Sequence, residues 1–569
     1  MRKQPVRTLS VQLATAALLV ALAVPAGAQL VFDSNVLYNN GSGSYSTDSG
    51  GAACPGGAYS VTDLAETLFT NNRTVDPLLN AQRFNLSDPR WDLQAGSPAL
   101  GSLGAPISQA SNLDPWFQDV CYQGGVGYTG GVDADDWTTG WTYYNQQGGV
   151  GRTDIDTGKT AVMVTTDITV NTTWDSTSNY MLVGRIGVTN GATLTINEGT
   201  VVMGSGVGSF LVIERDGNID VNGTREHPVV FTSSGDFTLG NQAPGDWGGI
   251  VIHGNAQANC AGVTGCGLTD PNTQCESEGG AGFFGGNDDD DSSGSIQYAR
   301  VEYSGQEISP NNELNSWTFN AVGRNTVVEH LQAHFGTDDG FEWFGGTARS
   351  RWLVATSCSD DNIDWQMGFR GFIQFAVVQQ NPAFSLDKGI EADNNEFDFN
   401  CAGRSNPTLS HLTFVGTGGQ GGGTIGIHLR RGTSATIVNS IISDFTTFGL
   451  RVQHEETFAN CAGTAPGLGG CTVAGVGGDS NGGRTFAVAA GPNPSFGAST
   501  LSFNLSNDSR VTVRIFDAAG RLVDTLADGH MTAGRQTVTW SPDRQASGTY
   551  FYQVIAGAER ATGRLLVLK

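Results

Sequence analysis

The sequence predicts an all-β protein: a solenoid of stacked parallel strands followed by a small β-sandwich. Three observations carry that prediction. A short strand phrase recurs from Ile296 (IQYARVEY), Val328 (VEHLQAHF), Ser350 (SRWLVATS), Ile373 (IQFAVVQQ), Leu409 (LSHLTFVG) and Ile437 (IVNSIISD). Its starts lie 32, 22, 23, 36 and 28 residues apart, the repeat length of a solenoid. Glycine contributes 80 of 569 residues, and short Val/Ile/Thr/Phe runs bounded by Gly, Asn and Asp replace helix-period stretches. Beyond residue 488 regular short strands alternate with turn signals, the pattern of a small sandwich.

Residues 1–28 read as a signal peptide. Arg2, Lys3 and Arg7 make a basic start, Leu9 to Val24 is apolar, and Ala26-Gly-Ala28 is a small-residue cleavage site. No later run is long and apolar enough for a membrane span. Residues 29–150 form a Gly/aromatic-rich head, loop-like over 29–60, and a candidate cap for the solenoid. Its Trp and Tyr residues are expected to pack rather than to form a sugar platform. Residues 151–455 form the solenoid. Ala192-Thr-Leu-Thr-Ile196, Gly217 to Gly223, Pro228 to Ser233 and Gly248 to His253 read as its early strands. Each coil buries one alternating face against its neighbours, so no coil is stable alone. Insertions at 254–294 (three cysteines and the run Asp288 to Asp291) and 382–406 (Asp387, Glu391, Asp393, Glu396, Asp398) interrupt the coils. Residues 456–487 are a Gly-rich linker. In 488–569, strands are expected at 500–505, 510–516, 536–540, 548–554 and 564–568.

The net charge is −25, and −28 once Arg2, Lys3 and Arg7 leave with the leader; only four lysines are present. Phosphate binding needs a basic face, so nucleic acid is not an expected partner. An acidic exterior suits divalent cations, or a solvated surface in salty surroundings. All nine cysteines follow the leader, and export favours disulfides. Cys461–Cys471 reads as a loop staple, and two of Cys260, Cys266 and Cys275 are expected to pair. The odd count leaves a thiol, assigned to Cys358 within a strand.

Two resemblances follow from these residues. The tail resembles the C-terminal sorting domain of type IX secretion substrates, an Ig-like module similar to the flagellar-hook-cap Ig fold. Pro492-Asn-Pro494, the run Val513 to Val523, Gly548 to Tyr552 and Leu568-Lys569 carry it. The resemblance implies export through the type IX machinery by way of 488–569, to the outer cell surface or the medium. Residues 150–455 resemble secreted bacterial right-handed parallel β-helix proteins of unassigned activity. The shared phrases are Ala192 to Ile196, Gly245 to Asn255, Phe284 to Gly286, Asn311 to Asn315, Asp338 to Gly346 and Gly368 to Gly371. Fold analogy transfers no reaction.

The best clue to a site is acidic. Ten residues after the second and third phrase starts stand Asp338-Asp339 and Asp360-Asp361. Equivalent positions on adjacent rungs lie about 4.8 Å apart, so Asp338 and Asp360 become neighbours. Carboxylates that close raise each other's pKa or demand a cation. Asp338, Asp339, Asp360, Asp361, Asn362 and Asp364 are the candidate ligands of a Ca²⁺ ion, with Glu342 and Asp393 as further candidates. The competing reading is that these side chains bond turn backbone as Asx groups. The run at 288–291 reads as a second site or a solvated loop. His330 and His334 share a strand face more than about 13 Å apart, too far for chelation, and read as core or turn residues. The expected function is binding or structural: adhesion, matrix or glycan contact by a Ca²⁺-stabilised surface protein. The alternative is a carbohydrate-active enzyme, a polysaccharide lyase or glycoside hydrolase, drawing on Asp338, Asp360, Arg370 and Lys388. No organic cofactor is expected.

Overall fold

The computed structural model describes residues 30–41, 43–45, 71–130, 136–144, 155–156, 158–238, 241–260, 265–309, 312–385, 387–458, 460, 488–491, 498–505, 508–517, 521–542, 545–546, 548–557 and 559–567. The stretch expected to be a leader, Cys54, Cys461, Cys471, the Pro492–Pro494 motif, the basic end and nearly all of the expected linker lie outside the described residues.

Two long parallel sheets run the length of the solenoid. The later coils of the first contain Gly294–Glu302, Val327–His334, Arg349–Thr356, Phe372–Gln379, Thr408–Val415 and Ala435–Val438. The second contains, among others, Trp317–Asn320, Phe341–Phe344, Ile363–Gln366, Lys388–Ala392, Ile425–Leu429 and Phe448–Val452. The six phrase starts stack in one register: Ile296 on Val328, Ser350, Ile373, Leu409 and Ile437. Their inward side chains, such as Val328, Leu331, Ala333, Leu353 and Ala355, join Trp317, Trp343 and Trp365 of the second sheet in one continuous buried column.

Early coils carry a third row of short strands, Thr172–Trp174, Thr193–Asn197 and Asn218–Asn222. At Gly294–Glu302 this row merges with the first sheet. Residues 294–297 pair Asn218–Asn222, while 299–301 pair Val229–Ser233. Tyr298 sits between the two pairings at φ +50°, and the corner is repeated at His330, Trp352, Phe375, His411 and Asn439, with φ from +56° to +60°. A left-handed corner in each strand lets one long strand serve two faces. The corner side chains form a ladder, with ring centroids 4.0 Å apart for Tyr298–His330 and 4.5 Å for His330–Trp352. His330 is therefore a stacking residue. His334 is buried, with Nδ1 2.8 Å from Thr356 Oγ1.

The segment read as loop-like at 29–60 contains strands. Leu30–Asp33, Val36–Tyr38 and Gly43–Tyr45 pair Ala435–Val438, Ile441–Ser443 and Phe448–Val452. They form the last coil of the solenoid at the end farthest away in sequence. Their strand character comes from partners some 400 residues on, so the local Gly/Ser/Asn composition conceals it. From Asn71 to Tyr144 the described head lies on the outer face of the first sheet. Trp91 and Trp141 pack there against the outward-facing Val354, Val377, Val415 and Ile441. Two glutamines grip its main chain. Gln332 accepts from Tyr143 N (2.8 Å) and donates to Tyr143 O (2.7 Å), and Gln374 does the same with Gln118 (2.9 and 2.6 Å).

Cys260 pairs with Cys275 and Cys266 with Cys401, tying the two insertions together. Cys358 is a buried free thiol that follows its strand rather than lying in it, because Arg349–Thr356 ends two residues earlier. The tail forms its own antiparallel sandwich around Leu501, Val513, Ile515, Trp540, Val554 and Leu565. It includes a strand not anticipated, Leu522–Met531, whose mixed half-exposed face gives no clean alternation.

Candidate metal centre

Five consecutive rungs of the second sheet begin with related four-residue words: Asn315-Ser-Trp-Thr318, Asp339-Gly-Phe-Glu342, Asp361-Asn-Ile-Asp364, Lys388-Gly-Ile-Glu391 and Ile425-Gly-Ile-His428. Pairing aligns them word for word. Third positions enter the core. The fourth positions stack Thr318, Glu342, Asp364, Glu391 and His428 into one polar column. Gly340 allows the close approach of two rungs, since a Cβ there would lie 2.7 Å from the Asn362 carbonyl oxygen.

First positions tie each rung to the next. Asn315 Oδ1 accepts from Asp339 N (3.2 Å), Asp339 Oδ1 from Asp361 N (2.9 Å), and Asp361 Oδ1 from Lys388 N (2.7 Å). The Asx role considered for these residues is thus present, and it uses one oxygen of each carboxylate.

Four overlapping triads bring carboxylate oxygens within 4.8 Å of one another: Asp338/Asp339/Asp360, Asp339/Glu342/Asp364, Asp360/Asp361/Asp387 and Asp361/Asp364/Glu391. The last two have a resident cation. Lys388 Nζ lies 2.7 Å from Glu391 and 3.5 Å from Asp361, and also pairs with Asp387. Arg430 bridges Glu391 and Asp393. Among the described residues no ion pair reaches Asp338, Asp339, Glu342, Asp360 or Asp364. Amides of Asn315 and Gln366 donate to Glu342, while Asp364 Oδ1 is buried without a hydrogen-bond partner.

Burial, reinforced by neighbouring carboxylates, holds Asp338, Asp339, Glu342, Asp361 and Asp364 well above the usual carboxylate range. The acidic wall continues beyond the column. Glu278 is pushed up to about 7 by burial and by Glu313 and Glu396. So many carboxylates in so little water need protons or a cation. The all-oxygen, flexible donor set around Asp339, Glu342 and Asp364 suits Ca²⁺ in kind.

Five of the six ligands expected from sequence converge here. The sixth, Asn362, is fully buried beside the Cys358 thiol, its amide oxygen without a hydrogen-bond partner. Glu342 belongs to the centre, whereas Asp393 is committed to Arg430 and Arg431. Of the residues considered for catalysis, Asp338, Asp360 and Lys388 lie in the cluster. Arg370 lies outside it, bound to Asp289 at 3.1 Å and to Gln257 O. The acidic run at 288–291 is a loop anchor: Asp289 and Asp291 accept backbone N–H groups of Gln257 and Asn255, and Arg324 pairs with Asp289 and Asp290. Sequence reasoning named Asp387 and Glu391 only as insertion residues and missed Glu278, Glu313 and His428. Aligning the words from Asp339, Asp361 and Lys388 would have exposed the fourth-position column.

No curated protein matches the chain. Residues 491–568 match the secretion system C-terminal sorting domain, and no described helix is long and apolar enough to cross a membrane. That tail directs export through the type IX machinery to the cell surface or the extracellular space. Residues 166–495, more than half of the chain, match the pectate-lyase-like β-helix domain. With its parallel sheets, single stacked core and sorting tail, the chain belongs to the pectate-lyase-like β-helix family and is one of its secreted members.

Proposed function

We propose that this protein is a surface-displayed binding or structural element, serving adhesion, matrix or glycan contact, whose acidic column is stiffened by bound Ca²⁺. One observation carries the reading. Asp338, Asp339, Glu342, Asp360 and Asp364 crowd together with no ion pair to any of them among the described residues, while Lys388 and Arg430 pair with Asp361, Asp387 and Glu391 in the adjoining triads. The uncompensated half asks for an external cation of high charge and oxygen preference.

The lyase alternative needs a base beside the acidic groups. Lys388 is poorly suited to that role, because burial, which alone would lower its pKa, is outweighed by Asp361 and Glu391, which together hold it above the ordinary lysine range. Arg370 is engaged elsewhere. A hydrolase would still have Asp338 and Asp360.

Calorimetric titration of the leader-free protein with Ca²⁺ should give binding heat, and chelator should lower its melting temperature. No heat and an unchanged melt would sink the cation. Incubation with neutral and uronate glycans should produce no new chain ends. New ends that vanish in Asp338→Ala would replace the binding reading with the enzymatic one.

A further inference from the structure

The far end of the column, at Glu391 and His428, differs chemically from the all-carboxylate end at Asp339, Glu342 and Asp364. His428 is 4% exposed. Its Nε2 lies 2.8 Å from Gln453 Oε1, an atom that only accepts, so Nε2 carries the proton and Nδ1 keeps its lone pair. Nδ1 has no hydrogen-bond partner and faces Glu391 Oε1 at 4.0 Å. Two buried acceptors aimed at each other are reconciled by a cation between them. One ion about 2.1 Å from each spans up to about 4.2 Å. Anchoring the distal N–H on an acceptor is also how proteins fix an imidazole that ligates metal. Glu391 also belongs to a triad with Asp361 and Asp364, whose carboxylate oxygens lie within 4.8 Å of one another, so further acidic donors adjoin the Glu391–His428 pair. Lys388 Nζ shares Glu391 Oε1 at 2.7 Å, but Asp361 and Asp387 offer it other seats.

We propose that the Glu391–His428 end of the column is a second metal position, with a nitrogen donor, for borderline divalent ions of the Zn²⁺ or Mn²⁺ class, and that Lys388 is its built-in competitor. Imidazole among carboxylates favours such ions over Ca²⁺, which prefers oxygen alone. The lysine ammonium fills the position when no metal is present and lowers the apparent affinity when one is. The inference does not depend on Ca²⁺ binding at the other end.

Titration of the leader-free chain with Zn²⁺ in excess Ca²⁺ tests it. A Zn²⁺ step is expected, weakened at least tenfold in His428→Gln and strengthened at least tenfold in Lys388→Met. Glu342→Gln should abolish the Ca²⁺ heat and leave the Zn²⁺ step intact. Pulsed electron paramagnetic resonance of the Mn²⁺-loaded, unaltered protein should show one directly bonded nitrogen. Absence of a Zn²⁺ step in both the unaltered chain and Lys388→Met overturns the proposal, as does equal affinity in a cooperatively folded His428→Gln. A Mn²⁺ spectrum without nitrogen coupling overturns it even if His428→Gln fails to fold.

Discussion

Phe375 shows how much a single residue trades in this fold. It is 3% exposed and stands at φ +60°, a conformation that costs an L-residue about 1–2 kcal/mol. Stacking between Trp352 and His411 offsets that cost. Phe375→Ala should lose about 3 kcal/mol in chemical denaturation. Phe375→Gly should lose about 1 kcal/mol less than the alanine variant, because glycine adopts a positive φ freely. The reverse order would mean that the corner is not strained. Glu278 gives a second prediction. Its folded-state carboxyl is raised to about 7 and titrates in the ordinary glutamate range when unfolded. The stabilisation from its proton is therefore full below that ordinary range and is lost as pH rises through about 7. In chelator, the melting temperature should fall between pH 5 and pH 8, and Glu278→Gln should flatten the slope. At this scale the sequence was only partly legible. Paired aspartates announced themselves by spacing, but a histidine such as His428 becomes a candidate ligand only when its partners on neighbouring rungs are known.

The rung is the element that explains most. Six strand phrases could be placed in register from sequence alone, because inward residues keep a two-residue period and a slip of one would turn the core face outward. The left-handed corner was hidden, since Tyr298, Trp352 and Phe375 have nothing of the usual Gly or Asn signature of such conformations. The second sheet was harder to read: its strands are three to five residues long and separated by insertions of unequal length. The insertions themselves are cross-braced. Cys266–Cys401 closes a far longer loop (separation 135) than Cys260–Cys275 (separation 15). Removing Cys266–Cys401 by double serine substitution should cost about 5 kcal/mol, against about 3 kcal/mol for Cys260–Cys275. Calorimetric melting of the two double variants, compared at one protein concentration, checks the order.

For the whole molecule, the tail and the solenoid have separate buried cores. Deleting 488–569 should leave the solenoid's melting temperature unchanged while stopping the protein in the periplasm, as judged by fractionation and protease accessibility of intact cells. Surface display of the truncated chain would contradict the sorting role. The solenoid and the tail were legible because their strand patterns differ; what composition could not reveal is that the strands between Leu30 and Tyr45 complete the solenoid's last coil. Asn35 donates to the carbonyl of Ile437, 402 residues away. Closing a loop of that length costs about 2.5 kcal/mol more than closing one of about 25 residues, since each doubling adds about 0.6 kcal/mol. Leu30, Phe32 and Leu37 are made some 400 residues before their partners, so their place in the core exists only after residues 435–452 have been made. The clasp therefore works as a clock. A chain that has not yet reached residue 452 has no way to fasten it, so fastening waits until the last coil of the solenoid has been made.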